Sequence, residues 1–559
     1  MGGLYPTLIS HYCFGVKWRQ VTQGIEKWVG SIQHLYVITV SAKSGLICHS
    51  VTPSGQLNFV VAESSGILLG FLLRAVLPHS LNKPTWRLFY CLFWGAAFLL
   101  FLIGKSIWVV FLQIMVCYLF MKYSPQRYMH MLVFFFAIGY MLFNYFIRIN
   151  LDTSYYDETY PLMVTTQKLT SLAFGLSDWT LMQKGKKLVP EREKWAVRKM
   201  PGLLEFLAFT LSFQGVLAGP FCHWNLYRAF IEGNTKDRLS EDTKHPVRYE
   251  DDPSTCLRVV MTKVIAVAFW TYITTAVKPL YPDGLDADPY FIASHGVFYR
   301  AFHVYLSFFF HRAKYYVTWT LADAVYNASG LGYVGKDENG QAHWTGMTNV
   351  NIFKIETAPC MKIYLDNWNI MTTHWLRHVC YTRAPFLNTF FTFVLSALWH
   401  GVHPGYYVTF VSASFFVQAG RKARAHIRPL FQGSRGSRIC YDAITTVATQ
   451  FSLPHLVFSF VVRDSQQILR FHKSFYFGTY VVVACLCLFL PKHNKRRPSS
   501  PQPSPSKELS PSGKRDAVDS NQQHHEHHQH NGNNNSSSGQ HEANPAGDLP
   551  TDLNSSLKN

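Results

Sequence analysis

The sequence predicts an all-α, polytopic membrane protein with about ten to twelve transmembrane or re-entrant helices. Two observations on composition support this fold class. Charged residues are only 15% of the 559 residues, whereas soluble globular proteins carry about 25%. Hydrophobic residues are 48% and aromatic residues 16% of the chain, although the polar C-terminal stretch 498–559 dilutes both fractions. This composition excludes a disordered chain, a collagen-like chain and a small disulfide scaffold.

Apolar runs that approach the length of a membrane span, about 20 residues, recur along the chain. In order, they cover residues 57–77, 88–103, 106–121, 128–149, 162–175, 203–222, 259–277, 297–310 with an extension toward Val325, 385–402, 406–419, 444–462 and 475–490. Several of these runs are short or carry polar residues. Such segments are typical of helices that pack on one another around a cavity and do not all face lipid.

The formal net charge of +19 comes from short basic connectors at 184–199, 421–438 and 492–497. Basic connectors favour the cytosolic side of a membrane, which predicts a cytosolic C-terminal tail. Five candidate spans lie between the first two connectors. An odd number of spans would place these connectors on opposite sides of the membrane, although both are basic and are expected in the cytosol. One segment is therefore re-entrant, or a further polar span lies between Tyr333 and Tyr381. No soluble domain with a basic face is evident, so no nucleic-acid partner is expected.

The chain divides into three parts. Residues 1–56 form an N-terminal region of uncertain order, in which charge and glycine break every apolar run and no signal-peptide pattern appears. Residues 57–491 carry all the candidate spans. Residues 492–559 are rich in Pro, Ser, Asn and His, which predicts a disordered cytosolic tail without a packed core. The histidine run inside this tail is interpreted as a solvated low-complexity tract.

His400 is the clearest polar residue in an apolar setting. The apolar run 385–399 leads directly to it, and Gly401 and Pro404 interrupt the chain before the next run begins. Ionisable residues inside membrane segments are costly and by default mark function. Imidazole also suits proton transfer near neutral pH. The alternative is a hydrogen-bonded histidine that closes a tight helical hairpin, and this window alone leaves both interpretations open.

A second polar group begins at Asn369. Asn369, Thr372, Thr373 and Leu376 are spaced i, i+3, i+4 and i+7, which predicts that they share one helical face. An amide on that face could donate a hydrogen bond to a developing oxyanion. In the alternative interpretation, the asparagine and the threonines join neighbouring helices by hydrogen bonds.

No metal or cofactor site is predicted. His374 and His378 are four residues apart, as two ligands on one helix face can be, but no third ligand has suitable spacing. The 11 cysteines form no zinc-type pairs and are expected to pack as reduced, small hydrophobic groups. The chain also lacks a P-loop, a G-x-S-x-G elbow and an H-E-x-x-H motif.

Several motifs together resemble those of one known family. They are Trp368-Asn369 followed by Thr372 and Trp375-Leu376, the run Leu395-Ser-Ala-Leu-Trp-His400-Gly, the Gly-Pro segment within 213–224, and Tyr315-Tyr316, Trp319 and 330–333. The sequence resembles the membrane-bound O-acyltransferases, and within them the lysophospholipid acyltransferases, from about residue 57 to residue 491. The run Trp-His-Gly-Val-His-Pro-Gly-Tyr-Tyr at 399–407 is most similar to the branch that acts on lysophosphatidylethanolamine and lysophosphatidylserine. Residues 1–50 and the long tail depart from the family pattern.

The resemblance implies a buried catalytic chamber in which Asn369 and His400 are the catalytic pair. The implied reaction moves an acyl group from acyl-CoA, a co-substrate rather than a cofactor, to the free hydroxyl of a lysophospholipid. His400 is the expected general base, and Asn369 positions the substrate or stabilises the oxyanion. No acyl-enzyme is needed, because the thioester is already activated. The family's usual site implies the endoplasmic reticulum membrane.

Further residues near the pair are candidates for binding substrate. Arg377, Arg383 and Lys362 are expected to meet the phosphates of CoA, with ordinary snorkelling at the membrane interface as the alternative. Trp319, Trp368 and Trp399 are expected to line the chamber, with simple packing as the alternative.

Three other functions are alternatives to this one. A different family branch, which acylates a sterol, a diacylglycerol or a peptide, remains open. A transporter is disfavoured, because neither the Trp-Asn nor the Trp-His-Gly motif is repeated in the first half of the chain. A catalytically silent scaffold is disfavoured by the presence of both Asn369 and His400. The sequence does not reveal an oligomeric state.

Overall fold

The computed structural model describes residues 54–150, 159–233, 253–337 and 339–491. These residues are almost wholly helical, which confirms the all-α fold class. Most of the predicted N-terminal region, the tail with its histidine run and the basic connector 492–497 lie outside the described residues. The predicted domain boundaries therefore stay predictions.

The N-terminal part of the fold is built from long apolar helices followed by shorter ones. The α-helices are α1 (Ser54–Val76), α2 (Pro84–Ile103), α3 (Ile107–Tyr123), α4 (Met129–Asn150), α5 (Thr159–Gln183), α6 (Pro190–Lys194), α7 (Leu203–Thr210) and α8 (Trp224–Glu232). Short 3₁₀ turns at His79–Leu81 and Gly104–Ser106 join α1 to α2 and α2 to α3.

The C-terminal part alternates long helices with a short, irregular polar region. Its elements are α9 (Pro253–Tyr272), α10 (Pro289–Ser294), α11 (Val297–Ser329), β1 (Gly335–Lys336), β2 (Ala342–His343), α12 (Ile352–Glu356), α13 (Met361–Asn367), α14 (Ile370–Leu376), α15 (Asn388–His400), α16 (Pro404–His426), α17 (Arg435–Val462), α18 (Ser465–Ser474) and α19 (Gly478–Phe489). Segments Ile273–Val277 and Arg377–Tyr381 are π-helical, and Lys278–Leu280, Leu285–Ala287 and Arg428–Phe431 are 3₁₀ turns. Strands β1 and β2 form an antiparallel hairpin that pairs Gly335 with His343.

Several helices have the length and apolar character of membrane spans. Among the described residues, five segments qualify, namely Leu57–Val76, Pro84–Tyr123, Met129–Ile149, Thr255–Ala287 and Arg435–Val462. A sixth is present if Ser465–Ser474 and Gly478–Phe489, which are bent by 75°, form one span. By length and composition these helices fit a membrane protein, whereas the number of ten to twelve spans stays a prediction.

The span predicted over residues 203–222 is wrong. Helix α7 ends at Thr210 and is only about 12 Å long, and residues 211–223 continue as turns and irregular backbone. An added Cβ at Gly215 would lie 2.0 Å from the hydroxyl oxygen of Tyr326, and that hydroxyl donates to the carbonyl of Pro220 at 2.9 Å. The apolar run therefore packs as a glycine- and proline-bearing loop against α11, since Pro220 also lacks the N–H that a helix needs.

The polar span considered between Tyr333 and Tyr381 is not a single helix. The region instead holds the β1–β2 hairpin, the helices α12, α13 and α14, and a π-helical turn. Helices α13 and α14 have seven residues each, or about 10 Å, which is far shorter than the hydrocarbon core of a bilayer.

Helix α5 is buried along most of its length although it carries many polar side chains. Lys168 is 1% exposed and donates to the carbonyls of Phe209 and Thr210 at 3.0 and 3.2 Å, which satisfies the C-terminal end of α7. Gln113 of α3 donates to Thr166 of α5 at 2.9 Å. These bonds explain how a polar helix can occupy the interior, because buried polar groups must be hydrogen-bonded.

Two hydrophobic cores meet at the region around Asn369. Trp375 and Trp399 belong to a core that includes residues of α1 to α5 and of α7. Trp368 packs against a second core that contains Trp319 and residues of α16 and α17. The polar segment between α13 and α14 therefore lies at the seam between the two cores.

Candidate active site

Helix α5 supports the segment that precedes His400. The indole N–H of Trp399 donates to the backbone carbonyl of Met163 at 3.1 Å, and Trp399 is buried. The ring of Trp399 also packs on that of Trp375, with 5.9 Å between centroids. The last turn of α15 is therefore held against α5, and His400 is the next residue.

The same face of α5 holds helix α14. Gln167 Nε2 donates to Thr372 Oγ1 at 2.9 Å, and the indole N–H of Trp375 donates to Thr170 Oγ1 at 2.9 Å. Met163, Gln167 and Thr170 are spaced i, i+4 and i+7, so they share one helical face. A single helix face thus aligns α14, which begins after the predicted catalytic asparagine, with α15, which ends at the predicted catalytic histidine.

The ring of His400 lies among aromatic side chains. It stacks on Phe410 with 4.9 Å between centroids and 17° between planes, and it meets Phe460 at 5.1 Å and 90°. Tyr406 is 6.1 Å away, centroid to centroid. Within the described part of the chain, neither ring nitrogen of His400 has a hydrogen-bond partner. The alternative interpretation, a hydrogen-bonded histidine that closes a hairpin, lacks its hydrogen bond here.

The residues after His400 turn the chain sharply. Gly401 has φ +124° and ψ −158°, a region of backbone conformation that only glycine adopts readily. Gly405 lets α16 approach α17 closely, because an added Cβ would lie 2.0 Å from the carbonyl oxygen of Ser459. This close crossing is what brings Phe460 of α17 to the imidazole.

Asn369 lies in the two-residue connection between α13 and α14. Its backbone is left-handed, with φ 49° and ψ 54°, a conformation that asparagine tolerates better than most residues. The N–H of Ile370 donates to the carbonyl of Asn349 at 2.9 Å, and Val350 forms an isolated antiparallel bridge with Trp368. The segment that contains Asn349 thus holds the backbone on both sides of Asn369.

The side chain of Asn369 has one identified partner. Asn349 Nδ2 donates to Asn369 Oδ1 at 3.1 Å, while Asn349 Oδ1 accepts from the backbone N–H of Met371 at 3.0 Å. The Nδ2 group of Asn369 has no partner among the described residues. Its two N–H groups are free to donate to a substrate.

The helical face predicted for this region is only partly correct. Asn369 is the cap before α14 and does not lie on the helix, so it does not share a face with Thr372 and Leu376. Thr372 is buried and bonded to α5, which confirms for this residue the alternative interpretation of a link between helices.

The predicted tryptophans fall into two places. Trp319 and Trp368 are in contact, with 4.9 Å between centroids, and Tyr315 and Tyr364 pack on Trp368 at 5.4 and 5.8 Å. This cluster immediately precedes Asn369 in the chain. Trp399 lies apart, next to His400. The structure therefore places one aromatic group beside each member of the predicted pair, and their role in lining a chamber stays a prediction.

Arg383 is already neutralised by a buried carboxylate. Its guanidinium donates to both oxygens of Asp178 at 2.9 and 2.6 Å and lies over the ring of Phe174, 4.3 Å from the centroid. Arg192 also donates to Asp178, at 3.0 Å from Nε. Asp178 is fully buried, so Arg383 serves a structural ion pair in this state.

The other two candidate cations differ from each other. Lys362 forms an i, i+4 ion pair with Asp366, and both side chains are about half exposed. Arg377 is half-buried at the start of the π-helical turn and has no acidic partner among the described residues. Of the three predicted cations, Arg377 is therefore the one whose charge is not paired with a carboxylate among the described residues.

The two histidines considered as metal ligands lie in different environments. His374 is exposed, whereas His378 is fully buried and packs edge-on against His223 with 5.6 Å between centroids. Across the described ranges, no group of three or more His, Cys, Asp or Glu residues is arranged to hold a metal ion.

The sequence pattern does not single out two polar residues that contact the segment 369–372, Gln167 and Asn349. Gln167 was visible as a buried-type amide inside the candidate span 162–175, where polar residues are costly. Asn349 had no comparable signal, because it lies in a polar stretch where an asparagine is unremarkable.

Comparison with known proteins places this architecture in a family. The model of the membrane-bound O-acyltransferase family matches residues 147–462, which includes both Asn369 and His400. The chain is 36% identical over 468 residues to the membrane-bound glycerophospholipid O-acyltransferase 2 of Gallus gallus, covering 82% of this chain and 90% of that protein. It is 35% identical over 458 residues to the membrane-bound glycerophospholipid O-acyltransferase 1 of Homo sapiens, covering 80% and 92%.

A more distant relative has a related name. The lysophospholipid acyltransferase of Saccharomyces cerevisiae is 27% identical over 463 residues, covering 78% of this chain and 74% of that protein. The fold and the matches define a membrane-embedded acyl-transferring enzyme. The chain belongs to the membrane-bound O-acyltransferase family, and the resemblance seen in its motifs is confirmed.

Proposed function

We propose that this chain transfers an acyl group from acyl-CoA to the free hydroxyl of lysophosphatidylethanolamine or lysophosphatidylserine in phospholipid remodelling. The relatives named above act, by their names, on glycerophospholipids and lysophospholipids, which supports the acceptor class. The run at 399–407 supports the choice of head group. The observation that carries the proposal is an imidazole with both nitrogens unengaged, on a helix end that α5 holds beside the segment carrying Asn369.

The reaction follows from these groups. A ring nitrogen of His400 takes the proton of the lysolipid hydroxyl while the hydroxyl oxygen attacks the thioester carbonyl carbon. The carbonyl π bond breaks, and its electron pair moves to oxygen, where the Nδ2 of Asn369 donates a hydrogen bond. Collapse of this intermediate breaks the carbon–sulfur bond and expels the CoA thiolate, which takes the proton from the imidazolium. The products are a diacyl phospholipid and CoA, with no group left on the protein.

The surroundings of His400 suit this step. Phe410, Phe460 and Tyr406 pack around the ring of the half-buried His400, so the imidazole lies in a largely apolar environment. Exclusion of water strengthens electrostatic interactions in the site and protects the thioester from hydrolysis. Trp319 and Trp368 supply a similar apolar wall beside Asn369.

Acyl-CoA carries phosphates that need cations. Arg377 is our first candidate, since Arg383 and Lys362 each have a carboxylate partner. An Arg377→Gln variant is expected to raise KM for acyl-CoA without a matching fall in kcat, because it removes binding that is equal in the ground and transition states. Lys354→Gln, which removes the charge of an exposed lysine on α12, is the control.

The proposal extends to the setting of the enzyme. We place it in the endoplasmic reticulum membrane as a multi-pass protein with about ten to twelve spans or re-entrant segments and a cytosolic C-terminal tail. The basic connectors at 184–199 and 421–438 support a cytosolic entrance for acyl-CoA.

A lysolipid panel tests the proposal. Purified protein in nanodiscs is given labelled oleoyl-CoA with lysophospholipids that differ only in head group, and separately with a sterol, a diacylglycerol and an acceptor peptide. The highest kcat/KM is expected for lysophosphatidylethanolamine or lysophosphatidylserine. Preferential acylation of the sterol, the diacylglycerol or the peptide contradicts the proposed acceptor.

A further inference from the structure

Asn349 is a buried amide that contacts both the predicted catalytic asparagine and the first two residues of α14. It is 2% exposed and lies between the β1–β2 hairpin and α12. Three of its polar groups are engaged with the segment 369–371. Its carbonyl accepts from the N–H of Ile370 at 2.9 Å, its Oδ1 accepts from the N–H of Met371 at 3.0 Å, and its Nδ2 donates to Asn369 Oδ1 at 3.1 Å.

These bonds determine which way the Asn369 amide faces. A backbone N–H can only donate, so the atom of Asn349 that faces Met371 must be its oxygen. The other terminal atom of Asn349 is then its nitrogen, which can only donate, so the atom of Asn369 that it meets must be an oxygen. The amide orientation of Asn369 therefore follows from a backbone group, although oxygen and nitrogen of an amide have the same shape.

We infer that Asn349 is a positioning residue that holds Asn369 with its Nδ2 donor, and not its oxygen, toward the reacting acyl group. This inference rests on the proposed function, and it specifies which end of the Asn369 amide meets the substrate. A donor serves the thioester carbonyl oxygen and the oxyanion that forms there. It cannot accept a hydrogen bond from the hydroxyl group of the lysolipid.

The backbone contacts make Asn349 an effective positioner. The same residue holds the chain at Ile370 and at Met371, on the C-terminal side of the left-handed Asn369, as well as the side chain. A preorganised donor costs no rearrangement when charge develops on the substrate oxygen, which is why such donors contribute strongly to rate.

The substitution Asn349→Asp replaces the Nδ2 donor of the side chain by an oxygen acceptor with almost no change in shape. In Asn349→Asp, one carboxylate oxygen still accepts from Met371, but the other now needs a donor. The Asn369 amide is then expected to turn and donate to the carboxylate, so that its oxygen faces the acyl group. Loss of one oxyanion donor lowers kcat by about 10²–10³, with KM for both substrates within about threefold of the wild-type value.

Asn351→Asp is the matched control. It makes the same chemical change two residues further on, where Asn351 Oδ1 accepts from the N–H of Lys354 at 3.1 Å and caps α12. An aspartate keeps this cap. The control is expected to retain the wild-type kcat, which separates the effect of orientation from the effect of an added negative charge.

A double-mutant cycle with Asn369→Ala tests whether Asn349 acts through Asn369. If it does, Asn349→Asp costs nothing further in the Asn369→Ala background. A merely structural role predicts the same loss in both backgrounds. If the Asn349→Asp protein is not monodisperse, Asn349→Ser is used with Asn351→Ser as control, and a loss of about tenfold in kcat that vanishes in the Asn369→Ala background is expected.

The outcomes distinguish this inference from the proposed function. An inactive Asn369→Ala variant with a normal Asn349→Asp variant overturns the positioning role alone, as does an equal loss in both backgrounds. Wild-type turnover in Asn369→Ala overturns the catalytic pair and the inference with it. If the wild-type protein acylates only an acceptor that is not a lysolipid, the proposed acceptor fails, and the cycle on that acceptor still decides the role of Asn349.

Discussion

The indole nitrogen of Trp399 lies 3.1 Å from the backbone carbonyl oxygen of Met163, a residue 236 positions earlier in the chain. This bond joins the turn that presents His400 to the buried helix α5. One and two turns further along the same face, α5 also bonds Thr372 and Trp375 of α14. The predicted catalytic histidine and asparagine therefore depend on one polar helix for their relative placement.

Replacement of His400 by alanine removes the expected general base. We expect kcat to fall by about 10²–10⁴, because a positioned base contributes that factor to proton transfer. The measurement is turnover of oleoyl-CoA and the preferred lysolipid by purified protein of verified monodispersity.

His426→Ala is the control for that variant. His426 is the last residue of α16, the helix that follows His400, and its Nδ1 contacts the carbonyl of Lys422 at 2.9 Å. Its variant should turn over like the wild type. Near-normal kcat in the His400 variant contradicts the assignment of the base.

Replacement of Asn369 by aspartate tests the donor. Aspartate keeps the size of the side chain and tolerates the left-handed backbone, but it cannot donate. We expect kcat to fall by about 10²–10³. Asn388→Asp is the control, since the Oδ1 of Asn388 accepts from the N–H of Thr389 at 2.9 Å and a carboxylate does the same. An Asn369→Asp enzyme as active as its control argues against a donor at this position.

Replacement of Trp399 by phenylalanine breaks the bond to Met163 while keeping an aromatic ring in the core. Loss of one hydrogen bond costs about 1 kcal/mol of stability. The larger effect is expected in turnover, about tenfold or more, because a small displacement of a reacting group is amplified in rate. Stability is followed by thermal unfolding in detergent, and rate by the same acyl-transfer assay.

Trp108→Phe serves as the comparison for Trp399→Phe. The side chain of Trp108 is 61% exposed on an apolar helix, so its variant should change neither stability nor rate. Equal effects of the two variants are incompatible with a special role for the bond between α15 and α5.

Replacement of Asp178 by alanine leaves the guanidinium groups of Arg383 and Arg192 without their shared partner. A broken buried ion pair costs about 3–5 kcal/mol, so a clear fall in the unfolding midpoint is expected. Asp366→Ala, which breaks the half-exposed pair with Lys362, should cost only about 0.3–0.5 kcal/mol. Similar midpoints for the two variants contradict a structural role for the Asp178 cluster.

Sequence reasoning located His400 and Asn369 because the signal is local. A polar side chain next to a long apolar run is costly wherever the run goes, so the residue stands out without knowledge of its neighbours. The apolar runs likewise predicted most long helices correctly. The span predicted over the run 203–222 is wrong, because the conformation of Gly215 and Pro220 depends on their contacts with Tyr326 of α11, which is distant in the chain.

By itself, the sequence determined that this is a helical membrane protein of the O-acyltransferase type, and it singled out the two residues proposed for catalysis. Only the tertiary structure decided how they are held. The bonds from α5 join residues 205 and 236 positions apart. The bond between Asn349 and Asn369 joins two irregular segments, and no periodic pattern in the sequence predicts it. Hydrophobic pattern and motif are properties of neighbours in the chain, whereas the orientation of an amide depends on which distant groups the folded backbone brings to it.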